Sequence, residues 1–207
     1  AIHRWLGSEF AVRKFHMGKP QPSFLTLVVR GILKIGRKLG LYPYQRAEVS
    51  YTKDPEAIIF PGYPWLFREV CTARDRYLTS KRARRLSAKG EVAILDRFPL
   101  DEVKFMDGPQ ASRMTSGITR NWLLSSLMNL EESFYRKIQP PDLLIVLRVP
   151  PDIAVQRKRD ELEKTVRPRS TEIWEVDWSR TSAHVIDASA PLEAVLTQVK
   201  ALIWENI

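Results

Sequence analysis

The stretch Gly90–Pro99, GEVAILDRFP, decides the fold. Its run Val92-Ala93-Ile94-Leu95 is short, apolar and bounded by a glycine and a proline, so it reads as a buried strand. The run stops at Asp96-Arg97, an acid and a base at the strand's carboxyl end. In open α/β sheets that end is where ligands sit. A carboxylate there can hold a magnesium ion or take a proton, and a guanidinium can grip a phosphate. The alternative is a surface ion pair that merely closes the strand.

Strand-like and helix-like segments alternate around this stretch. Phe10 to Met17 reads as a strand followed by a Gly18-Lys19-Pro20 turn. Phe24 to Leu39 reads as a helix, with Leu25, Val28, Val29, Ile32 and Ile35 apolar at three-and-four spacing. Residues 40 to 62 carry prolines and read mostly as loop. Trp65 to Ala88 predicts a long helix, with Gly90 just past its end. A loop from Pro99 to about Pro109 leads to a helix from roughly Thr119 to Ile138, stopped by Pro140-Pro141. Asp142 to Val149, DLLIVLRV, predicts a strand buried on both faces. A helix with proline in its first turn follows and runs to about Lys164. Val185-Ile186-Asp187 predicts a last short strand, and Leu192 to Ile203 the final helix. Such alternation argues for one α/β domain with a mainly parallel sheet.

The 207 residues are enough for one well-packed domain with a small lid. Hydrophobic residues at 44% and charged residues at 28% describe a globular protein and exclude a disordered one. No apolar run approaches the roughly 20 residues needed to cross a bilayer, and no membrane partner is expected. The lone Cys71 cannot form an internal disulfide, which fits the cytoplasm. The scattered histidines and single cysteine offer no metal-ligand spacing. A net charge of +9 favours anionic partners: nucleotides, nucleic acid or acidic lipid.

With these residues in place, the chain resembles the thymidylate kinase-like group of P-loop kinases. Gly90 to Phe98 is similar to that group's strand ending in an Asp-Arg-aromatic signature. Ala73-Arg74-Asp75-Arg76 resembles its substrate-contacting Asp-Arg element on the preceding helix. Pro141-Asp142-Leu143 through Val149-Pro150-Pro151 to Arg157 resembles its next strand and the helix leading into an arginine-rich lid. Ile186-Asp187-Ala188-Ser189 with Pro191-Leu192-Glu193 resembles its final strand and the loop over the nucleotide base. The resemblance implies a P-loop kinase-like three-layer α/β/α fold over residues 1–207, with a lid at about 157–180.

One departure stands out. The family's Gly-rich loop, G-x-x-x-x-G-K-[ST], cradles phosphates on backbone amides, and these 207 residues contain none. Gly18-Lys19 is followed by Pro20 rather than a hydroxyl, and Arg13 stands where the first glycine would. Ala1 to Gly7, AIHRWLG, looks like the tail of the helix that follows a phosphate loop. The first strand and its loop are therefore expected upstream of Ala1. By resemblance the missing strand is central, between the strands at 91–96 and 142–149. Without it those two strands would border a gap and leave backbone groups unpaired, and an isolated fragment should be fragile.

Phosphoryl transfer needs positioning and charge stabilisation more than covalent chemistry. The resemblance assigns Asp96 to magnesium, through water, or to activation of an acceptor oxygen, and Arg97 to the acceptor phosphate. It places Lys19, Arg76, Phe98 and Asp107 on the substrate side, though a solvated turn lysine, a solvated helical Asp-Arg pair and ordinary turn chemistry would explain three of these. Arg157 and Arg159 are expected to bring positive charge in the lid, where arginine suits because its planar fork matches phosphate. Ser189 and Pro191 join Arg157 at the nucleotide base. Helix ion pairs with Asp160, Glu161 and Glu163 are the alternative for the lid cluster. Trp174 and Trp178 are expected to pack the lid onto the body.

Lys81-Arg82-Ala83-Arg84-Arg85 reads as a solvated basic face; a nucleic-acid surface would want interleaved aromatics, which are missing. The expected function is therefore nucleotide kinase: ATP with Mg2+ as donor, a thymidylate-like nucleoside monophosphate or related acceptor, and room for a homodimer. The 207 residues alone are expected to be inactive. The alternative is a degenerate kinase fold that binds a nucleotide or protein and does no chemistry.

Overall fold

The computed structural model describes residues 1–42, 60–103, 105, 107–115, 118–119 and 121–207. Most of the loop expected at 40 to 62 lies outside them. The fold is mixed α/β with parallel strands. The chain forms two compact units, Ala1–Val12 with Pro140–Ile207, and Arg13–Gln139.

In the second unit, β1 (Val12–His16) pairs with β2 (Val92–Asp96). Arg13 meets Glu91 at 3.6 Å at one end, and Met17 N donates to Asp96 O at 2.8 Å at the other. Starts lie with starts and ends with ends, so the strands run parallel. Between them come α2 (Phe24–Lys38) and α3 (Tyr63–Ser87). Ser23 caps α2, its hydroxyl accepting from Thr26 N at 3.5 Å. The buried Asp75 of α3 accepts from Ser23 N at 3.2 Å, and Arg74 donates to Ser23 Oγ at 2.7 Å. Start and stop signals set α3: Gly62 at φ 94 precedes it, Pro64 fills its first turn, and Gly90 at φ 82 turns the chain into β2.

A four-residue helix, α4 (Ala111–Met114), lies in the stretch between the expected loop and the expected helix. It leads to α5 (Trp122–Arg136), where Asn121 Oδ1 accepts from Leu124 N at 2.8 Å. Leu66 and Val70 of α3 pack with Ala111, Leu124, Leu127 and Met128 as the core of this unit.

In the first unit, α1 (Ile2–Leu6) falls within AIHRWLG. Then β3 (Leu144–Arg148) and β4 (Ala183–Asp187) pair in parallel, from Leu144 opposite Ala183 to Arg148 opposite Asp187. Ile186 packs with Val195 and Val199 of α8 (Leu192–Asn206), and Ile2 of α1 joins them. Trp5 and Trp204 meet with ring centroids 6.4 Å apart, under Lys200.

Two expectations need correction. The helix after Pro151 does not reach Lys164: α6 (Pro151–Arg157) stops, and α7 (Glu163–Glu175) starts anew. The break is a turn in which Glu161 N bonds Lys158 O and the two side chains pair at 2.8 Å. The two apolar strands are also not buried. All five residues of β2 are half-buried, and in β3 only Val146 is buried while Leu147 is half exposed. Among the described residues each belongs to a two-stranded sheet and has a strand neighbour on one edge only. The apolar stripe of α2 faces outward: Leu25, Val28, Ile32 and Ile35 are exposed, and the buried residue is Thr26. Among the described residues no helix is long and apolar enough to cross a membrane.

Candidate active site

At the carboxyl ends of β1 and β2, segments far apart in sequence converge. Arg76, on the buried stripe of α3, is only 4% exposed. Its Nε donates to Met17 O at 2.9 Å, and Nη2 donates to Asp107 Oδ1 at 2.9 Å and Gly18 O at 3.4 Å. Nη1 donates to the Tyr135 hydroxyl. Such a guanidinium is fixed, not a solvated helical cation. Arg97 Nε lies 2.7 Å from Asp107 Oδ2, so two guanidiniums share one carboxylate. The pair leaves net positive charge on the partly exposed Arg97 side.

Arg97 has a left-handed backbone, φ 60, immediately after β2. Gly18 lets its side chain in: a Cβ there would stand 3.0 Å from Arg97 Nε and 3.1 Å from Asp107 Oδ1. Asp96 is partly exposed, with Lys14 Nζ 3.6 Å from its Oδ2. Lys19 is exposed and Phe98 half-buried. The structure thus joins Arg76, Arg97 and Asp107 in one cluster.

Three groups that sequence reasoning missed support it. Tyr135 donates to Asp107 O at 3.3 Å, and burial raises its phenol pKa. Glu131 accepts from Gln110 N at 3.1 Å and Ala111 N at 2.9 Å, holding the start of α4. Burial outweighs those two bonds and pushes its carboxyl pKa up to about 7. Glu69 is raised as well, by burial first and against the pull of Arg76. A signal was present: Leu124, Leu127, Met128, Glu131 and Tyr135 share one helical stripe, so the glutamate sits where an apolar residue belongs.

In the other unit, Arg157 and Ser189 also meet. Arg157 donates to Ala188 O at 2.5 Å and Ser189 O at 2.7 Å. Ser189 N donates to Asp187 Oδ1 at 2.8 Å, and bonds from Ser189 lower the Asp187 carboxyl pKa. Pro191 stands just before the first residue of α8, and Arg159 is exposed in the turn after α6. Arg167, by contrast, forms ion pairs at 2.7 Å with both Asp152 and Glu163. Trp174 stacks under Arg148 of β3 at 4.2 Å, while Trp178 is buried and donates to Ile173 O.

Among the described residues no cluster of His, Cys, Asp and Glu could by itself hold a metal ion. Magnesium at phosphoryl-transfer sites takes one or two carboxylates and otherwise water and phosphate oxygens; Asp96 offers one partly exposed carboxylate, with Lys14 beside it.

No family model matches the chain, and no curated protein matches it in sequence. Among solved structures it is similar to deoxyadenosine kinase from M. mycoides with bound dATP, at 13% identity and a TM-score of 0.44. The match covers 94% of this chain and 99% of that one. So few shared residues transfer no residue's role.

Proposed function

We propose that these residues build the acceptor side of a nucleotide kinase, an enzyme moving the γ-phosphoryl group of ATP to a thymidylate-like nucleoside monophosphate or a related phosphorylated acceptor. The observation that supports it most is the Arg76–Asp107–Arg97 cluster closed over Gly18 at the carboxyl end of the strands. Arg97 offers its guanidinium to the acceptor phosphate, with Lys19 beside the same turn. Asp107 and Arg76 position Arg97 instead of touching the phosphate, because Arg76 already spends its donors on protein oxygens. Phe98 and Asp107 border the base or sugar. Asp96 holds the water shell of magnesium or accepts a proton from the acceptor oxygen. Arg157, Arg159, Ser189 and Pro191 form a second group suited to the nucleotide donor.

The residues present do not fit the triphosphate of ATP, since no Gly-rich loop stands among them, and no step is assigned to it. The pairing of Asp96 with Lys14 and the full engagement of Arg76 favour a second reading, a kinase fold kept for binding alone.

The test is transfer of labelled phosphate from ATP to a panel of nucleoside monophosphates and nucleosides, using the product of the complete gene. Turnover lost in Asp96→Ala and Arg97→Ala supports the kinase. Mononucleotide binding without transfer supports the binding fold. Neither transfer nor binding in a folded protein rejects both.

A further inference from the structure

Helix α2 carries an apolar stripe that the site does not use. Phe24, Leu25, Val28, Ile32, Ile35 and Leu39 are each between 41% and 82% exposed. At 3.6 residues per turn they fall on one side of the helix. Scattered exposed apolar residues are ordinary, whereas a continuous patch of this kind marks a binding surface. The adjoining strip is basic: Arg30, Lys34, Arg37 and Lys38 are all exposed. Between Glu9 and Glu48 the chain has no Asp or Glu at all. Arg30, Lys34 and Arg37 also line a cleft of about 530 Å³ with Arg68 and Trp65 at the start of α3.

Against the expectation of no membrane partner, we propose that α2 seats the protein on an anionic lipid surface, lying in the plane of the membrane rather than crossing it. Its apolar stripe enters the boundary between headgroups and acyl chains, and its basic strip takes the lipid phosphates. An amphipathic helix with large apolar residues on one side and lysine and arginine on the next has the composition for this role. Charge decides against the other occupants. Two copies joined through this face would bring together two helices that each carry four cations and no acid. A nucleic acid would satisfy the cations but leave the isoleucines and leucines in water.

The test is sedimentation of the full-length protein with vesicles of phosphatidylcholine, with and without a minority of phosphatidylglycerol. Binding is expected only with the anionic lipid, and it should weaken as salt rises. Ile32→Glu/Ile35→Glu, both at exposed positions that leave the core untouched, should lower partitioning on the order of 100-fold. Lys34→Gln/Lys38→Gln should lower it about fivefold for each cation removed. Unchanged circular dichroism and melting of the variants would show that the loss is not unfolding. No binding to anionic vesicles, equal binding by wild type and both variants, or a dimer that Ile32→Glu/Ile35→Glu dissociates, would overturn the proposal.

Discussion

The buried carboxyl of Glu131 makes stability depend on pH in an unusual direction. Its pKa rises from an ordinary 4.5 to about 7 on folding, because burial outweighs the two backbone N–H bonds it accepts. A group with a raised folded pKa binds its proton more tightly in the native state. Its favourable contribution is therefore complete below pH 4.5 and disappears as pH climbs through about 7. At ~1.4 kcal/mol per pH unit, that window corresponds to roughly 3 kcal/mol. Glu69 is raised for the same reason and acts in the same direction. Protonation of surface carboxylates on an already basic chain opposes the effect, so wild type alone is a poor readout. The informative quantity is the stability difference between wild type and Glu131→Gln, by urea unfolding at several pH values. The amide of that variant keeps one acceptor for the start of α4 but cannot titrate. Wild type should lose about 3 kcal/mol relative to the variant between pH 4.5 and 8. Parallel stability profiles would refute the assignment of a buried, proton-binding Glu131.

Other outcomes follow from the same packing. Arg76→Ala leaves Asp107 to Arg97 alone and Met17 O and Gly18 O without their donor; it should cost about 3 kcal/mol by urea unfolding. Gly18→Ala places a methyl 3.0 Å from Arg97 Nε and should weaken mononucleotide binding about tenfold by calorimetry, consistent with loss of one charge-assisted contact. Asn121→Ala removes the cap of α5 and should lower stability by about 1 kcal/mol in thermal unfolding.

Much of this arrangement was legible from residue order. The three-and-four spacing of Leu25, Val28, Val29, Ile32 and Ile35 marked α2, and Gly90 and Pro99 bracketed β2 to within a few residues. Periodicity, however, reports which residues share a face and not what covers it. The stripe of α2 has core periodicity yet faces outward. Pro168 inside α7 hid that helix, since proline ordinarily reads as a stop. Of the cluster, Arg76, Arg97 and Asp107 were visible as residue types in suggestive places, but their mutual contact depends on tertiary folding. Glu131 was not singled out, although its place on the α5 stripe was already a conflict between polarity and position.

The left-handed turn at Arg97 sets local comfort against chemistry. Glycine would adopt φ 60 without strain, whereas a side chain there costs about 1 kcal/mol. Arg97→Gly should therefore recover part of the stability lost with the ion pair to Asp107, and more of it than Arg97→Ala, when the variants are compared by thermal unfolding. A chain selected only to fold would have little reason to keep arginine at this corner. Its guanidinium is held there against the preference of its own backbone, as a tool is held under spring tension.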